Sequence, residues 1–344
     1  MKTMSTPHFP ACYVQLPPSA SNRRAAFYLA AEEFIAQNFQ LGSYLFSWQL
    51  SPTVVMGRNQ VAHQEVDMDF CAQNHIDIIR RKSGGGAIFA DGNNIMWSLI
   101  TLSGPVEPLF AEYAACVAEA LRKLGADVEV SGRNDIVLKG KGKVCGNAFY
   151  HTSRSNIVHG TMLYDTNPEL MQGALHPNVD KLQAKGVQSV RSRVALLKDS
   201  LSMGVRELRT RLRQLLCDKE VSLSPADIRH IEKIEQNYYE PAYFYGTATG
   251  NGTMYERRIE GCGTLGLRFN TQGSLIKSVE LTGDFFELAN ARQAFDHAFS
   301  GIPLTRLHLL EAIRTHHPEQ SIRHLTTGQL MELLELDSPA SGSS

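Results

Sequence analysis

The stretch of this sequence that most constrains the fold runs from Ile76 to Ala87. Its first four residues form an apolar run that is typical of a buried strand, and two arginines, Lys82 and Ser83 separate that run from three consecutive glycines. Glycine lets the backbone adopt a positive φ and approach a bound group closely, because no Cβ intervenes. Arginines beside such a loop can donate a planar set of hydrogen bonds to a carboxylate or a phosphate. The stretch therefore predicts either a cradle for an anion or a tight turn with solvated arginines, and alone it does not choose between them.

Composition restricts how an anion can be bound. Among 344 residues there are 34 Lys and Arg and 35 Asp and Glu, giving a formal net charge of −1. No overall field therefore attracts nucleic acid or a membrane surface, and an anion site has to be local. No apolar run approaches the roughly 20 residues that span a bilayer. The N-terminal residues lack the apolar core of a secretory signal. Six scattered cysteines indicate reduced thiols and a cytoplasmic location.

The order of the predicted elements indicates an α+β fold with a mixed α/β sheet. Predicted helices span about 23–39, 108–124, 204–217, 304–315 and 327–336. Predicted strands include 44–48, 53–56, 76–79, 95–102, 128–130, 157–164, 254–260, 264–269 and 276–281. We expect a catalytic domain over residues 1–220, a smaller C-terminal α+β domain over residues 221–336, and a disordered tail at residues 337–344.

A second informative stretch predicts a β-hairpin. Alternating residues on both sides of the loop Gly140–Gly142 form its two strands, and Lys143 begins the returning strand. Basic residues at this position are also typical of an edge strand that is protected from aggregation. His159 lies near the start of a later predicted strand, where a single histidine is more often structural than catalytic. These residues alone do not decide between a role in a functional site and a structural or edge-strand role.

Several segments, taken in chain order, resemble the lipoate–protein ligase family. They are Pro52–Gln60, Arg80–Ala87, Gly132–Ile136, Lys143–Ala148, His159–Leu163, Ser189–Val194 and Gly283–Phe286. The resemblance extends from about residue 25 to about residue 335. It implies a biotin/lipoyl-ligase-like catalytic domain, followed by a small accessory domain that moves during the reaction cycle.

The resemblance implies a reaction in two steps. Free lipoate is activated by ATP to lipoyl-AMP, with Mg²⁺ as the counter-ion of ATP, and the lipoyl group is then transferred to a lysine of a lipoyl domain. The implied acceptors are apo lipoyl domains of 2-oxo-acid dehydrogenase acyltransferase subunits, the glycine cleavage H protein, or both. We expect no nucleic-acid or membrane partner, and we expect the protein to act as a monomer.

The resemblance also implies roles for individual residues. Lys143 is the implied catalytic residue, placed between the lipoate carboxylate and the α-phosphate. The implied lipoate- and adenylate-binding residues are Arg80, Arg81, Ser83, Gly84, Gly85, Gly86, Ala87 and His159. The implied nucleotide-binding residues are Asn94, Asn134, Asp135, Lys143, Gly146 and Ala148. Asp135 is further expected to act with Mg²⁺ or to hold Lys143 in place.

Two positions depart from the pattern of the family. The sequence Ala90-Asp91-Gly92-Asn93-Asn94 stands where the family usually has His-Asp-x-Gly-Asn. This altered turn is the basis for one alternative, a non-catalytic protein that binds lipoyl-AMP. Cys145 stands where the family usually has serine or threonine, and we expect a small buried residue there. The other alternative is an ATP-independent lipoyl or octanoyl transferase of the same fold, in which a reactive cysteine carries the acyl group.

Overall fold

The structure is a computed structural model that describes residues 11–40, 42–102, 104–132, 135–152, 154–176, 194–245 and 252–336. Asn134, residues 189–193 of one family-like segment and the predicted tail at residues 337–344 lie outside the described residues. The described chain divides into two compact units. Unit 1 comprises Met1–Met56, Ala62–Arg81 and Ala87–Phe244, and unit 2 comprises Gly57–Val61, Lys82–Gly86 and Tyr245–Ser344, in each case as far as these residues are described.

Unit 1 is built on an eight-stranded sheet. In spatial order its strands are β11 (Cys217–Ser222), β1 (Ala11–Gln15), β2 (Tyr44–Trp48), β6 (Ile95–Leu102), β10 (Ser155–Met162), β9 (Gly142–His151), β8 (Asp135–Leu138) and β7 (Val128–Ser131). Strand β1 pairs in parallel with β11 and with β2, whereas the other neighbouring strands are antiparallel. A second sheet has the order β4 (Asp77–Arg80), β3 (Thr53–Met56) and β5 (Ile88–Ala90). The mixed α/β sheet predicted from the sequence is confirmed.

Helices pack against the sheets of unit 1 and contribute to its core. Those between residues 25 and 245 are α1 (Ala25–Asn38), α2 (Ala62–Glu65), α3 (Met68–Gln73), α4 (Val106–Lys123), α5 (Pro168–Ala174), α6 (Val205–Leu216), α7 (Pro225–Glu235) and α8 (Pro241–Tyr245). Helix α1 is apolar on nearly every face, as expected for a helix inside a core, and it packs in one cluster with Ile231 of α7. The predicted domain boundary near residue 220 falls within β11, and both β11 and α7 belong to unit 1.

Unit 2 contains a smaller α+β core. Its antiparallel sheet has the order β12 (Thr253–Ile259), β13 (Gly263–Gln272) and β14 (Leu275–Gly283). Its helices include α9 (Ala291–Phe299), α10 (Arg306–His316) and α11 (Thr327–Leu333). The rings of Phe269 and Phe299, both fully buried, meet edge to face with centroids 5.4 Å apart. Across both units, none of the described helices is long and apolar enough to cross a membrane.

Candidate active site

The hairpin formed by β8 and β9 places a lysine against a carboxylate. Lys143 Nζ lies 2.7 Å from Asp135 Oδ1. In the ladder Lys143 pairs with Val137 and Asp135 pairs with Gly146, and the register shifts between Ile136 and Val137. The Lys143 side chain therefore reaches along the hairpin to meet Asp135. Because it keeps 33% of its side-chain surface exposed, the ammonium group is accessible to a ligand.

Gly146 provides the space that the lysine occupies. A Cβ at this position would lie 2.5 Å from both Cε and Nζ of Lys143, so any larger residue would displace the ammonium group. The backbone of Lys143 is held on its other side, where it forms a parallel bridge with Val194 and its carbonyl accepts a hydrogen bond from Ala195 N at 2.8 Å. The ammonium group is thus fixed by a carboxylate, a glycine and a second backbone segment.

Cys145, two residues further along β9, is buried and not prepared for nucleophilic attack. It is 3% exposed, and its Sγ donates a hydrogen bond to Asn147 Oδ1 at 3.5 Å. Burial raises the pKa of the Cys145 thiol to about 12, although the nearby Lys143 opposes this shift. Because the thiolate is the reactive species, such a thiol is a poor nucleophile at neutral pH. This favours a structural role and confirms the expected small buried residue.

Arg80 and Arg81 are buried, so the interpretation as solvated turn residues is wrong. They are 3% and 5% exposed. Arg80 Nε donates to the carbonyl of Phe244 at 2.8 Å, and Arg81 Nη1 donates to the carbonyl of Val55 at 2.9 Å. Burial lowers the pKa of Arg81 to about 10, and it also lowers the pKa of Arg80. These anchored guanidinium groups are desolvated cations, for which an anionic ligand is favourable.

The turn that departs from the family pattern is organised by Asp91. Its Oδ1 accepts hydrogen bonds from Asn93 N at 3.0 Å and from Asn94 Nδ2 at 3.3 Å. Its Oδ2 accepts from Thr166 Oγ1 at 3.1 Å and from Asn167 N at 3.0 Å. No residue of this turn has a positive φ, so an asparagine in place of the family's glycine introduces no backbone strain. The altered sequence therefore still forms a tightly hydrogen-bonded turn.

Asn94 presents a hydrogen-bond acceptor that the described part of the chain does not use. The residue is fully buried, and its Oδ1 accepts no hydrogen bond from any described residue. An unsatisfied buried acceptor is costly, because it has lost its bonds to water. A donor from a bound molecule would remove that cost.

His159 belongs to a buried hydrogen-bond network that was not predicted from the sequence. Its Nδ1 lies 3.0 Å from each carboxylate oxygen of Glu32. Ser98 Oγ donates to Glu32 Oε1 at 2.6 Å, and Trp48 Nε1 donates to Ser98 Oγ at 2.9 Å. A carboxylate can only accept here, so Glu32 holds a proton on Nδ1 and orients the ring. A sequence signal did exist, because Glu32 lies within an apolar helix, where a buried carboxylate needs donors.

The glycine loop lies in unit 2, where it contacts the backbone of Phe285. Gly85 has a φ of 88° and donates its N–H to the Phe285 carbonyl at 3.1 Å. A Cβ on Gly84 would lie 2.2 Å from that same oxygen. On the other side, the carbonyl of Ser83 accepts from Arg58 N at 2.9 Å. The two glycines are therefore needed for different reasons, one for its φ and the other for its close approach to the backbone.

The predicted site residues are distributed over both units. Unit 1 holds Arg80, Arg81, Ala87, Asn94, Asp135, Lys143, Gly146, Ala148 and His159, and unit 2 holds Ser83, Gly84, Gly85 and Gly86. Within unit 1, Asp135, Lys143 and Gly146 are brought together, and Ala148 is the strand partner of His159. Among the described residues, no group of three or more His, Cys, Asp or Glu is placed to hold a metal ion.

Family models match two parts of the chain. The lipoyl protein ligase A/B catalytic domain matches residues 24–216, and the bacterial lipoate protein ligase C-terminus matches residues 253–334. One similar relative is lipoate–protein ligase 1 of Staphylococcus aureus, 30% identical over 289 residues, a match that covers 80% of this chain and 88% of that protein.

Solved structures give a consistent comparison. A bipartite lipoate protein ligase of Thermoplasma acidophilum, solved in a study of that ligase and its E2 lipoyl domain, is 25% identical, with a TM-score of 0.61 and coverage of 71% of this chain and 99% of that one. LipL1 of P. falciparum, in complex with lipoate, is 16% identical, with a TM-score of 0.76 and coverage of 94% and 99%. A lipoate-protein ligase A bound with ATP is 24% identical, with a TM-score of 0.58 and coverage of 69% and 99%. The last two show a shared fold.

Proposed function

Because this chain belongs to the lipoate–protein ligase family, we propose that it activates free lipoate with ATP and transfers the lipoyl group to a lysine of a lipoyl domain. The observation that carries the proposal is the position of Lys143 Nζ, 2.7 Å from Asp135 Oδ1 and above the space left by Gly146. This arrangement supplies one accessible, oriented positive charge at a defined position on the hairpin.

The positive charge of Lys143 reduces the main barrier to activation of lipoate, which is repulsion between two anionic groups. The lipoate carboxylate has to attack the α-phosphate of ATP, although both groups are anionic. A preorganised cation lowers this repulsion and stabilises the charge that develops as the new O–P bond forms and the bond to pyrophosphate breaks. A compact ammonium suits a point contact with a phosphate oxygen. We assign this role to Lys143 and assign to Asp135 the role of holding it.

The remaining residues bind the reactants in this proposal. Lipoate and the adenylate are held by Arg80, Arg81, Ser83, Gly84, Gly85, Gly86, Ala87 and His159, and the nucleotide by Asn94, Asn134, Asp135, Gly146 and Ala148. The unused Oδ1 of Asn94 supports a nucleotide contact, because an N–H donor of the base would satisfy it. The buried guanidinium groups support binding of a carboxylate or phosphate.

We further propose that Mg²⁺ accompanies ATP. The Asp135 carboxylate fits this ion, because Mg²⁺ is typically bound by one or two carboxylates together with the phosphates of the substrate. The Mg²⁺ ion would neutralise negative charge on the phosphate groups of ATP.

The proposal also includes catalysis by residues 1–220, an accessory role for residues 221–336, and a monomer acting in the cytoplasm. Its acceptors are lipoyl domains of 2-oxo-acid dehydrogenase acyltransferase subunits, the glycine cleavage H protein, or both.

The proposal is tested by measuring the mass of a lipoyl domain after the reaction. The protein is incubated with an apo lipoyl domain, lipoate, ATP and Mg²⁺, and the intact domain is analysed by mass spectrometry. We expect a gain of one lipoyl group that requires both lipoate and ATP. A gain from an acyl-carrier donor without ATP would instead indicate the transferase. A protein that binds lipoyl-AMP without catalysis would show no gain and no lipoate-dependent exchange of pyrophosphate into ATP.

Replacing Cys145 by serine is expected to preserve most of the ATP-dependent ligation. The serine hydroxyl can donate to Asn147 Oδ1 as the thiol does, and the position is small and buried. Removal of a true covalent nucleophile lowers kcat by several orders of magnitude. The measurement is the initial rate of lipoyl-domain modification, with Cys71→Ser, another buried cysteine, as the matched control. A loss confined to Cys145→Ser would favour the thioester route.

A further inference from the structure

A cavity of about 450 Å³ lies in unit 1, and none of the residues assigned to the ligation lines it. Residues of β1, β2 and α6 form most of its wall, together with the segment that precedes α1. Three arginines of α6, namely Arg206, Arg209 and Arg213, line it, and no aspartate or glutamate is among its lining residues. A cavity of this volume is within the usual range for small-molecule sites. Its wall carries three positive charges, and only that of Arg213 is paired with a carboxylate, Glu220, which is not a lining residue.

Two of these arginines are held in place by the sheet. Arg209 donates from Nε to Ser47 Oγ at 2.7 Å, from Nη2 to the Ser47 carbonyl at 2.6 Å and from Nη1 to Gln49 Oε1 at 3.4 Å. A guanidinium group has five N–H donors, so these bonds leave two of them for another acceptor. Arg213 stacks on the ring of Tyr13, 4.4 Å from its centroid, and forms an ion pair with Glu220. These two guanidinium groups are therefore positioned before any ligand arrives.

The third arginine has no partner among the described residues, and another arginine of the same helix provides the comparison. The guanidinium group of Arg206 forms no hydrogen bond or ion pair with any residue that the structure describes. Arg211 does not line the cavity, and it pairs with Glu207 one turn away at 2.8 Å. Three like charges on one helix face destabilise the helix unless an opposite charge is close. Arg211, outside the cavity, has such a charge on its helix. Of the arginines that line the cavity, Arg213 is paired with Glu220 of β11, whereas Arg206 and Arg209 have no carboxylate partner among the described residues.

We propose that this cavity binds a phosphate-bearing small molecule, at a site distinct from the one that contains Lys143. Guanidinium groups match the geometry of phosphate oxygens and form strong charge-assisted hydrogen bonds with them. The ring face of Tyr13 is covered by Arg213, and the other two lining aromatic rings, Tyr28 and Trp48, are buried and stacked on each other. Recognition therefore rests on the phosphate and not on stacking of a base. The proposal extends beyond the ligation, since none of the residues assigned to that reaction lines the cavity.

The test is a titration with inorganic pyrophosphate at low salt, in which isothermal titration calorimetry measures the binding affinity. Wild-type protein, Arg206→Glu, Arg211→Glu and Lys143→Ala are compared. We expect Arg206→Glu to weaken binding at least about tenfold, because a hydrogen bond between charged groups is replaced by repulsion. Arg211→Glu, with the same charge change on the same helix, and Lys143→Ala should retain this binding. Affinity should also fall as sodium chloride is added.

Three outcomes would overturn the proposal: unchanged affinity in Arg206→Glu, loss of all binding in Lys143→Ala alone, or no binding at millimolar pyrophosphate in any variant. Arg206 is exposed, so its replacement should not unfold the protein, and the thermal midpoint of each variant checks this.

Titration with AMP then distinguishes a site for free phosphate from a site for a nucleotide. AMP binding that is equal to or weaker than pyrophosphate binding indicates a phosphate site, and tighter binding indicates a nucleotide site. Lipoyl-domain modification without added pyrophosphate should be normal in Arg206→Glu, so failure of the ligase assignment is seen separately.

Discussion

Replacing Lys143 by alanine is expected to lower the rate of lipoyl-AMP formation by about 100- to 1,000-fold, the typical cost of removing one preorganised electrostatic contact to a transition state. The alanine cannot neutralise the approaching carboxylate and α-phosphate. The measurement is lipoate-dependent exchange of pyrophosphate into ATP. Protein stability should change little, because ion pairs with partly exposed partners contribute only about 0–1 kcal/mol, and the two side chains here are 33% and 22% exposed.

Lys141→Ala is the matched control for this variant. Lys141 is exposed in the turn of the same hairpin, so its removal changes the net charge equally and should leave the exchange rate unchanged. Lys143→Arg adds a second comparison, since it keeps the charge but needs more room than Gly146 leaves, and we expect it to restore little activity. Normal exchange by Lys143→Ala would remove this residue from the mechanism.

Replacing Gly84 by alanine is expected to destabilise unit 2 by about 1–3 kcal/mol, the usual cost of forcing an extra methyl group into a packed site. The new Cβ would lie 2.2 Å from the Phe285 carbonyl and 3.2 Å from Phe286 Cα. Both are backbone atoms, so neither can rotate away as the end of a side chain could. Chemical unfolding measures the loss, and faster amide exchange at Gly85, which donates to that carbonyl, locates it in the loop.

Gly92→Ala provides the control for the loop variant. A Cβ there would meet only the Leu50 carbonyl at 3.7 Å, an ordinary contact, and this glycine has no positive φ. It should therefore unfold at the wild-type denaturant concentration. If Gly84→Ala behaved like Gly92→Ala in both measurements, the close contact with Phe285 would not exist in solution.

Elements with a strong local pattern were predicted well from the sequence. Strands β2, β3 and β6 have the predicted bounds, and α1 begins and ends within two residues of its prediction. Strand β11 was missed, because most of its side chains are exposed and it shows no apolar alternation. It forms through backbone pairing with β1, about 200 residues earlier in the chain. Such a partner leaves no local signal in the strand itself.

The same distinction applies to the candidate site. The hairpin around Lys143 is local, so turn chemistry and alternation placed the lysine at the start of the returning strand. The network of Glu32, Ser98 and His159 joins three distant segments. Its members look like ordinary polar residues until packing buries them and requires that each be paired.

For the stretch from Ile76 to Ala87, the sequence alone determined a strand followed by a glycine-rich turn, because an apolar run and a high glycine content act over a few residues. Only the tertiary structure decided that its arginines are buried and hydrogen-bonded to the carbonyls of Phe244 and Val55. It also decided that Gly84 approaches the backbone of Phe285. Burial and close approach depend on which distant segments fill the space around a residue, and no local pattern encodes that.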